Sequence, residues 1–382
     1  MILGGSHRDI PLINASKSLG HFVITLGDRD YYLGHDYADK AYKISFNNLT
    51  EVRKIIESEK IDYLVPGSGE ASYLNTVQLS QELGIGNFDT VETAKLVHNK
   101  WQFKEFCLEN SILTPGGFYY EDDLDLNRIK FPVVVKPVNL SGGAGINIVD
   151  NLKDLKRSLL RAQEVSNRIF LEEYIDGELI AYSAVIKYHK VAYSFTGIDS
   201  TYKNPYLISS AYPKKLNTFI EDTIRENVEK ISSKLLLVDG VFHLQIIIKN
   251  DLPYIIDVTR RIPGDLYPYL MEFCDSVEYS KAAIKSYIGD PIESELHVAN
   301  EQKFVIRHCV MSDKNGIFEK IQVDDSLQDS IIFRIDLMDR NSEIINFLTE
   351  KVAIIFIQVS HKDKNIVVNH INELIYPVVT PN

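Results

Sequence analysis

Short apolar runs alternate with stretches of helical periodicity over the first hundred residues. The runs at 2–3, 22–26 and 61–65 predict strands, and apolar positions three and four apart over 10–19, 50–59 and 71–83 predict helices. A helix after each strand implies crossover connections, hence a parallel sheet covered on both faces. Gly4-Gly5 after the first strand and Asp28 after the second stand where a dinucleotide fold puts its phosphate turn and ribose carboxylate. The run Gly4-Gly5-Ser6-His7-Arg8-Asp9 lacks the third glycine, however, and a tight turn after a strand explains the pair better.

Further along, the pattern becomes mixed. Asp89 and Glu92 have the spacing of a capping box, and a helix over 100–109 should stop ahead of Thr114-Pro115-Gly116-Gly117. A strand, loop and strand over 131–150, a helix over 152–164, strands at 168–171 and 181–187, a helix over 218–236 and a hairpin over 241–259 follow. Short strands and a helix over 365–374 occupy the region from 303 onward. The stretch 196–212, TGIDSTYKNPYLISSAY, is polar-aromatic without clear period and reads as a substrate loop, in which Asp199, Lys203 and Asn204 could select an amine or a carboxylate; a plain surface loop fits equally.

Composition narrows the class. With 382 residues, 45% hydrophobic and 25% charged, the chain can form two or three domains with sizeable cores, which excludes disorder and fibres. A formal charge of −12 argues against a general nucleic-acid binder, so an anionic ligand must be held locally. Cys107, Cys274 and Cys309 are odd in number and far apart, as apolar core residues of a cytoplasmic protein would be. No run approaches the roughly 18 apolar residues of a membrane span, and no signal segment opens the chain.

Candidate chemistry centres on two pieces. In the first, an apolar strand ends in Lys136 and leads into Ser141-Gly142-Gly143-Ala144-Gly145 before a strand resumes. Glycines admit backbone N–H groups to a polyphosphate, and the lysine adds a fixed positive charge. Because Lys136 precedes the glycines and no helix follows them, the order is not that of a Walker loop. The second piece is the 241–259 hairpin. A register symmetric about Asp251 sets Gln245 opposite Asp257 and His243 opposite Thr259, with facing Cβ atoms about 4.5–5.5 Å apart. Gln245, Asp257 and Thr259 then share a face away from Phe242, Leu244 and Ile246 and form a candidate site for a hard cation. Arg261 follows on the same segment and could clamp phosphoryl or carboxylate oxygens. Glu172-Glu173-Tyr174-Ile175-Asp176-Gly177 reads as a linker able to offer a carboxylate and backbone amides to a purine edge. Glu70, beyond Pro66-Gly67-Ser68-Gly69, lies at the carboxyl end of a predicted strand, where it could attract an ammonium group or simply begin a helix.

Taken in order, 99–104 with Glu109-Asn110, 131–145, 170–177 and 240–265 resemble the ATP-grasp superfamily in its carboxylate-amine ligase branch, which includes biotin carboxylase and carbamoyl phosphate synthase. The resemblance implies an α/β and α+β architecture: a Rossmann-like preATP-grasp domain over 1–97, a two-subdomain ATP-grasp domain over 98–295 with a lid subdomain at about 126–178, and a small carboxyl-terminal β-rich region over 296–382. It also implies ATP and Mg²⁺, or Mn²⁺, as cofactors. Lys100 and Lys136 would contact phosphates, Ser141, Gly142, Gly143 and Gly145 would form the lid loop, and Glu172, Glu173, Tyr174, Ile175 and Glu178 would meet adenine and ribose. Asp257 with Gln245 and Thr259 would hold the metal, and Arg261 would stabilise an acyl phosphate. Where the family carries carboxylates or asparagine, this chain has Gln245 and Thr259, which leaves one anionic ligand.

The activity implied is ligation of a small-molecule carboxylate to a small-molecule amine through an acyl phosphate, with a homodimer as the family's frequent assembly. The alternatives are an ATP-binding regulator without ligase activity, which Gln245 and Thr259 motivate, and an ATP-grasp phosphotransferase acting on a hydroxyl.

Overall fold

The computed structural model describes residues 1–138 and 145–381. Its amino-terminal sheet is parallel, in the order Lys40–Tyr42, Ile24–Leu26, Ile2–Leu3, Val65–Pro66. Helices Ile10–Ser18, Leu49–Glu59 and Glu70–Leu83 cross between or follow these strands, as the periodicity predicts. Polar caps set their limits: the Asn48 side chain accepts from the Glu51 N–H at one start, and Gly84 in the left-handed region closes another end. Strand Lys40–Tyr42 has no counterpart in the pattern reading, since its exposed edge position leaves no apolar run to detect.

An eight-stranded antiparallel sheet forms the centre of the molecule. Its order is Leu252–Thr259, Gly240–Lys249, Glu178–Lys187, Lys190–Tyr202, Asn204–Pro213, Val305–Val310, Ala353–Gln358, Ile331–Asp336, so three strands from beyond residue 303 continue it. Helix Thr218–Lys234 packs Ile220, Ile224, Val228 and Ile231 into one core with Phe242, Leu244 and Ile246. The segment 196–212 is therefore not a loop: it lies within two long strands that meet at Lys203. Gly197 and Asp199 occupy its inward face and register shifts interrupt it after Ser200, which erases the alternation by which strands are recognised.

A separate four-stranded sheet, in the order Gly117–Tyr119, Ile169–Glu173, Val133–Pro137, Asn147–Val149, carries helix Leu152–Val165 on one side. Leu155, Leu159 and Ala162 bury against Val133, Val135, Val149 and Leu171. Val133 pairs with Val149, so the chain does resume as a strand after the glycine segment; Ser141, Gly142 and Gly143 lie outside the described residues. Near the carboxyl end, strands Glu343–Ile344, Gly316–Val323 and Ile375–Thr380 form a fourth sheet beside helix Lys364–Leu374. The three cysteines are free and buried, and among the described residues no helix is long and apolar enough to cross a membrane.

Asp89 does not cap a helix as its spacing with Glu92 suggests. The cap of Val91–His98 is Thr90, whose hydroxyl accepts from the Thr93 N–H. Asp89 instead turns inward and accepts from Arg260 Nε at 2.8 Å and from the Val238 N–H at 2.8 Å. Arg260 also donates to the Val241 and Val238 carbonyls at 2.6 and 2.7 Å, so both buried charges are hydrogen-bonded. Removing one member of such a pair leaves the other charged and unpaired, at a cost of about 3–5 kcal/mol. Asp89→Ala is expected to lower stability by about that amount, whereas Asp28→Ala, which breaks an exposed pair with Arg29, should change it by less than about 1 kcal/mol. Urea unfolding of the two variants measures the difference.

Candidate active site

Strands Gly240–Lys249 and Leu252–Thr259 are joined through Asn250 and Asp251, both at positive φ (51° and 60°), the geometry of a two-residue type I′ turn. The turn is thus tighter than a register centred on Asp251 requires, and Lys249 faces Leu252. A bulge at Ile256 adds back the missing residue, and beyond it Gln245 pairs with Asp257 and His243 with Thr259, as predicted. Phe242, Leu244 and Ile246 bury on the opposite face.

The polar row fits a hard cation. Its donors are all oxygens, from one carboxylate, one carboxamide and one hydroxyl, and the buried Thr259 Oγ1 has no hydrogen-bond partner. Among the described residues no group of three or more acidic, His or Cys side chains could hold a metal, so a second carboxylate is not supplied from elsewhere in such a cluster. Beside the row, His243 Nδ1 lies 2.8 Å from Ser183 Oγ; burial and the Arg261 charge push this imidazole down to about 3, so it stays neutral.

Arg261 leaves the strand end with Nη1 donating to the Ile262 carbonyl at 3.0 Å and with Nε unpartnered. Burial lowers its guanidinium, Asp257 and Glu70 oppose that, and Arg8 adds to it. Burial raises the Glu70 carboxyl, Asp257 raises it further, and Lys100 and Arg261 counter them. These mutual fields show that Glu70, Lys100, Asp257 and Arg261, drawn from three segments of the sequence, share one neighbourhood. Arg8 belongs with them and was not singled out from the sequence. It follows the Gly4-Gly5 turn, and a Cβ on Gly264 would stand 3.3 Å from its Cδ. Its signal was available: a cation at the carboxyl end of a parallel strand.

A cavity of about 640 Å³ opens next to this cluster, a volume ordinary for a ligand the size of a nucleotide. Glu70, Lys100, Lys136 and Glu172 line it, together with Trp101 and Phe170, and the bulged Ile256 reaches its wall. Glu172 forms ion pairs with both Lys136 and the buried Lys104. Burial would raise the Glu172 carboxyl, yet Lys136 and Lys104 together hold it below its ordinary value. Lys104 is the second residue missed by sequence reading; it stands one helical turn beyond Lys100, on the same face of helix Lys100–Glu109.

The rest of the linker stays outside the cavity wall. Glu173 is exposed and accepts a long 3.4 Å contact from the Gly116 N–H, Tyr174 is half-buried, Ile175 belongs to the core, and Glu178 pairs with Lys214 at 3.2 Å. Gly177 permits the crossing, since any Cβ there would come within 2.3 Å of the Ile248 carbonyl oxygen. Gly145 has φ +73°, at the border of the described residues. Lys203 and Asn204 lie at the far end of their hairpin, where Lys203 sits over the Tyr202 ring and Asn204 donates to the Leu348 carbonyl at 3.1 Å. Asp199 parts from them: it is buried and accepts from Gln245, and burial pushes its carboxyl up to about 6 against the opposing effect of Arg307.

Residues 125–265 match the model of the D-ala D-ala ligase C-terminus family. A formate-dependent phosphoribosylglycinamide formyltransferase from Methanocaldococcus jannaschii is 22% identical over 344 residues, which cover 86% of this chain and 84% of the relative. Two solved structures superpose on nearly the whole length: an L-amino acid ligase from Bacillus licheniformis (TM-score 0.84, 18% identity, 99% of this chain and 98% of that one) and a phosphoribosylglycinamide synthetase from Anaerococcus prevotii (TM-score 0.80, 19% identity, 99% and 98%). With the paired lysines, the interrupted strand and the polar hairpin set around one cavity, the chain has the fold of these two structures, and its residues 125–265 are similar to the C-terminus of D-ala D-ala ligase.

Proposed function

We propose that the chain binds ATP with its phosphates between Lys100, Lys136 and the glycine segment, and uses it to join a small-molecule carboxylate to a small-molecule amine. The observation that carries this reading is that Glu70 and Lys100, which line the same cavity as Lys136 and Glu172, share the fields of Asp257 and Arg261. A substrate carboxylate oxygen forms a bond to the γ-phosphorus while the bond to the β–γ bridging oxygen breaks, and ADP leaves with that electron pair. The neutral amine nitrogen then forms the C–N bond as the acyl C–O bond breaks, and phosphate departs with that electron pair and takes up the proton the nitrogen gives up. Magnesium, held by Asp257 with Gln245 and Thr259, would supply charge neutralisation for the phosphates. Arg261, with an N–H to spare and little solvent around it, stabilises charge that develops on the transferred group. A second copy of the chain is the expected partner in solution.

Lys136 is neutralised by Glu172 in the absence of nucleotide, so phosphates must compete with a carboxylate for it. Glu172, freed by that exchange, can then meet a donor on the purine edge. The single carboxylate of the metal row favours a second reading, nucleotide binding without turnover, which predicts tight Mg-ADP binding and no phosphate release with any carboxylate and amine pair.

Lys136→Ala is expected to lower phosphate release from Mg-ATP by about a hundredfold or more while the circular dichroism spectrum is unchanged; near-normal turnover would refute the assignment. Asp257→Asn removes the one anionic ligand, and Mn²⁺ affinity in the presence of ADP, read by electron paramagnetic resonance, should fall by about tenfold or more.

A further inference from the structure

Residues from two regions wall the cavity. Lys136, Phe170 and Glu172 belong to the separate four-stranded sheet, whereas Glu70, Leu74 and His98 come from helices Glu70–Leu83 and Val91–His98. The nucleotide contacts proposed above use the first group together with Lys100, and they leave His98 unassigned. Its position is well determined. Glu70 and Tyr73 lie three apart on one helix and so share a face. The Tyr73 ring stacks on the His98 imidazole, with centroids 4.8 Å apart and planes inclined by 30°. Tyr73 is itself buried, its hydroxyl 3.3 Å from the Asp89 carboxylate that Arg260 pins. The stack thus sets the imidazole beside the start of the Glu70 helix, in the same cavity wall.

The imidazole is left incomplete. Stacking occupies a ring face, while the nitrogens lie in the ring plane and need partners of their own. His98 is 9% exposed, and its Nε2 is buried with no hydrogen-bond partner among the described residues. Burial, Arg261 and Arg260 push the ring down to about 3 against the opposing effect of Asp89, so it stays uncharged. A buried polar atom without a partner is costly, and phenylalanine would fill the space against Tyr73 without that cost. The surroundings narrow the group that completes it. An anion would pair with Arg261 rather than with a neutral ring, and a fixed cation is opposed by the same guanidinium. An uncharged N–H group fits: a bare imidazole nitrogen accepts its hydrogen bond and leaves the donor's lone pair free.

We infer that His98 is an amine-binding residue of the ligation, accepting a hydrogen bond from the nucleophile in its uncharged form. Glu70, in the same wall, suits the ammonium form, and burial and Asp257 raise its carboxyl toward accepting the proton that this form must lose. Only the uncharged amine has the lone pair that attacks the acyl carbon, so holding that form in place raises the reactive fraction within the site. The identification rests on the ligase reading above and extends it to a residue outside the phosphate grip and the metal row.

Phosphate release from Mg-ATP over a panel of primary amines and carboxylates identifies a productive pair, and His98→Phe then removes the nitrogens while keeping a ring against Tyr73. KM for the amine should rise about tenfold, with KM for ATP, Mg-ADP affinity and the thermal midpoint unchanged. His98→Gln, whose amide oxygen reaches about as far as Nε2, should recover part of that loss and keeps the test valid should the phenylalanine variant misfold. A second measurement needs no turnover. Of the ten histidine resonances, the one absent from His98→Phe reports on this ring, and amines added at about pH 9 with saturating Mg-ADP should move it. An unchanged amine KM in His98→Phe, a matching loss of ATP or Mg-ADP affinity, or a His98 resonance that no amine moves would overturn the site. Movement of that resonance by amines, with no phosphate release from any pair, would instead sink the ligase reading and leave the amine site standing.

Discussion

Arg260 cannot turn toward solvent without leaving Asp89 as an unpaired carboxylate in the core, and this constraint orients everything around it. Held by Asp89 and by the carbonyls of Val238 and Val241, Arg260 ties the segment ahead of helix Val91–His98 to the end of the hairpin strand. The strand ends at Thr259, and Arg261, next after Arg260, lies in the fields of Asp257 and Glu70. The two adjacent arginines have unrelated tasks, one structural and one beside the site.

The cavity carries its charges already arranged. Lys104 and Glu172 are both buried, and Glu172 bridges Lys104 to Lys136. A lysine pair without a carboxylate between them would repel and be costly to bury, so Glu172 offsets that cost before any nucleotide arrives. An incoming polyphosphate brings more negative charge than one carboxylate and can displace it from Lys136, the more exposed of the two, while Lys104 stays paired. Binding is then an exchange of partners rather than the uncovering of a bare cation, which limits the desolvation that the site must undergo.

Sequence periodicity revealed the parallel domain and the hairpin because both announce themselves locally. Strands Ile2–Leu3 and Ile24–Leu26 are apolar runs, and the pairing of Gln245 with Asp257 follows from a short polar turn between two apolar runs. Even there, a type I′ turn and the bulge at Ile256 reached the predicted pairing by a route that symmetry does not suggest. What stayed hidden depends on contacts remote in sequence. Asp89 had the spacing of a cap, and only the approach of Arg260, 171 residues away, shows why it is buried. Lys104 carries no local sign of burial, which comes from Glu172 placed against it, and Asp199 broke the alternation of its strand because that strand buries a charge.

Gln245 and Asp199 are best understood as one arrangement. A glutamate at 245 would place a carboxylate between Asp257 on one side and Asp199 on the other, and three like charges on one sheet face would repel and drive protonation of one of them. A carboxamide avoids that conflict and distinguishes its two neighbours: an N–H donated to Asp199 leaves the carbonyl oxygen as the group free for a cation beside Asp257. Hydrogen bonding to a carboxylate polarises the amide and strengthens that oxygen as a ligand, as partners behind a metal's direct ligands commonly do. The negative charge absent from position 245 thus reappears one layer back, at Asp199, and the neutral glutamine lets Asp199 and Asp257 share a sheet face without a third carboxylate between them.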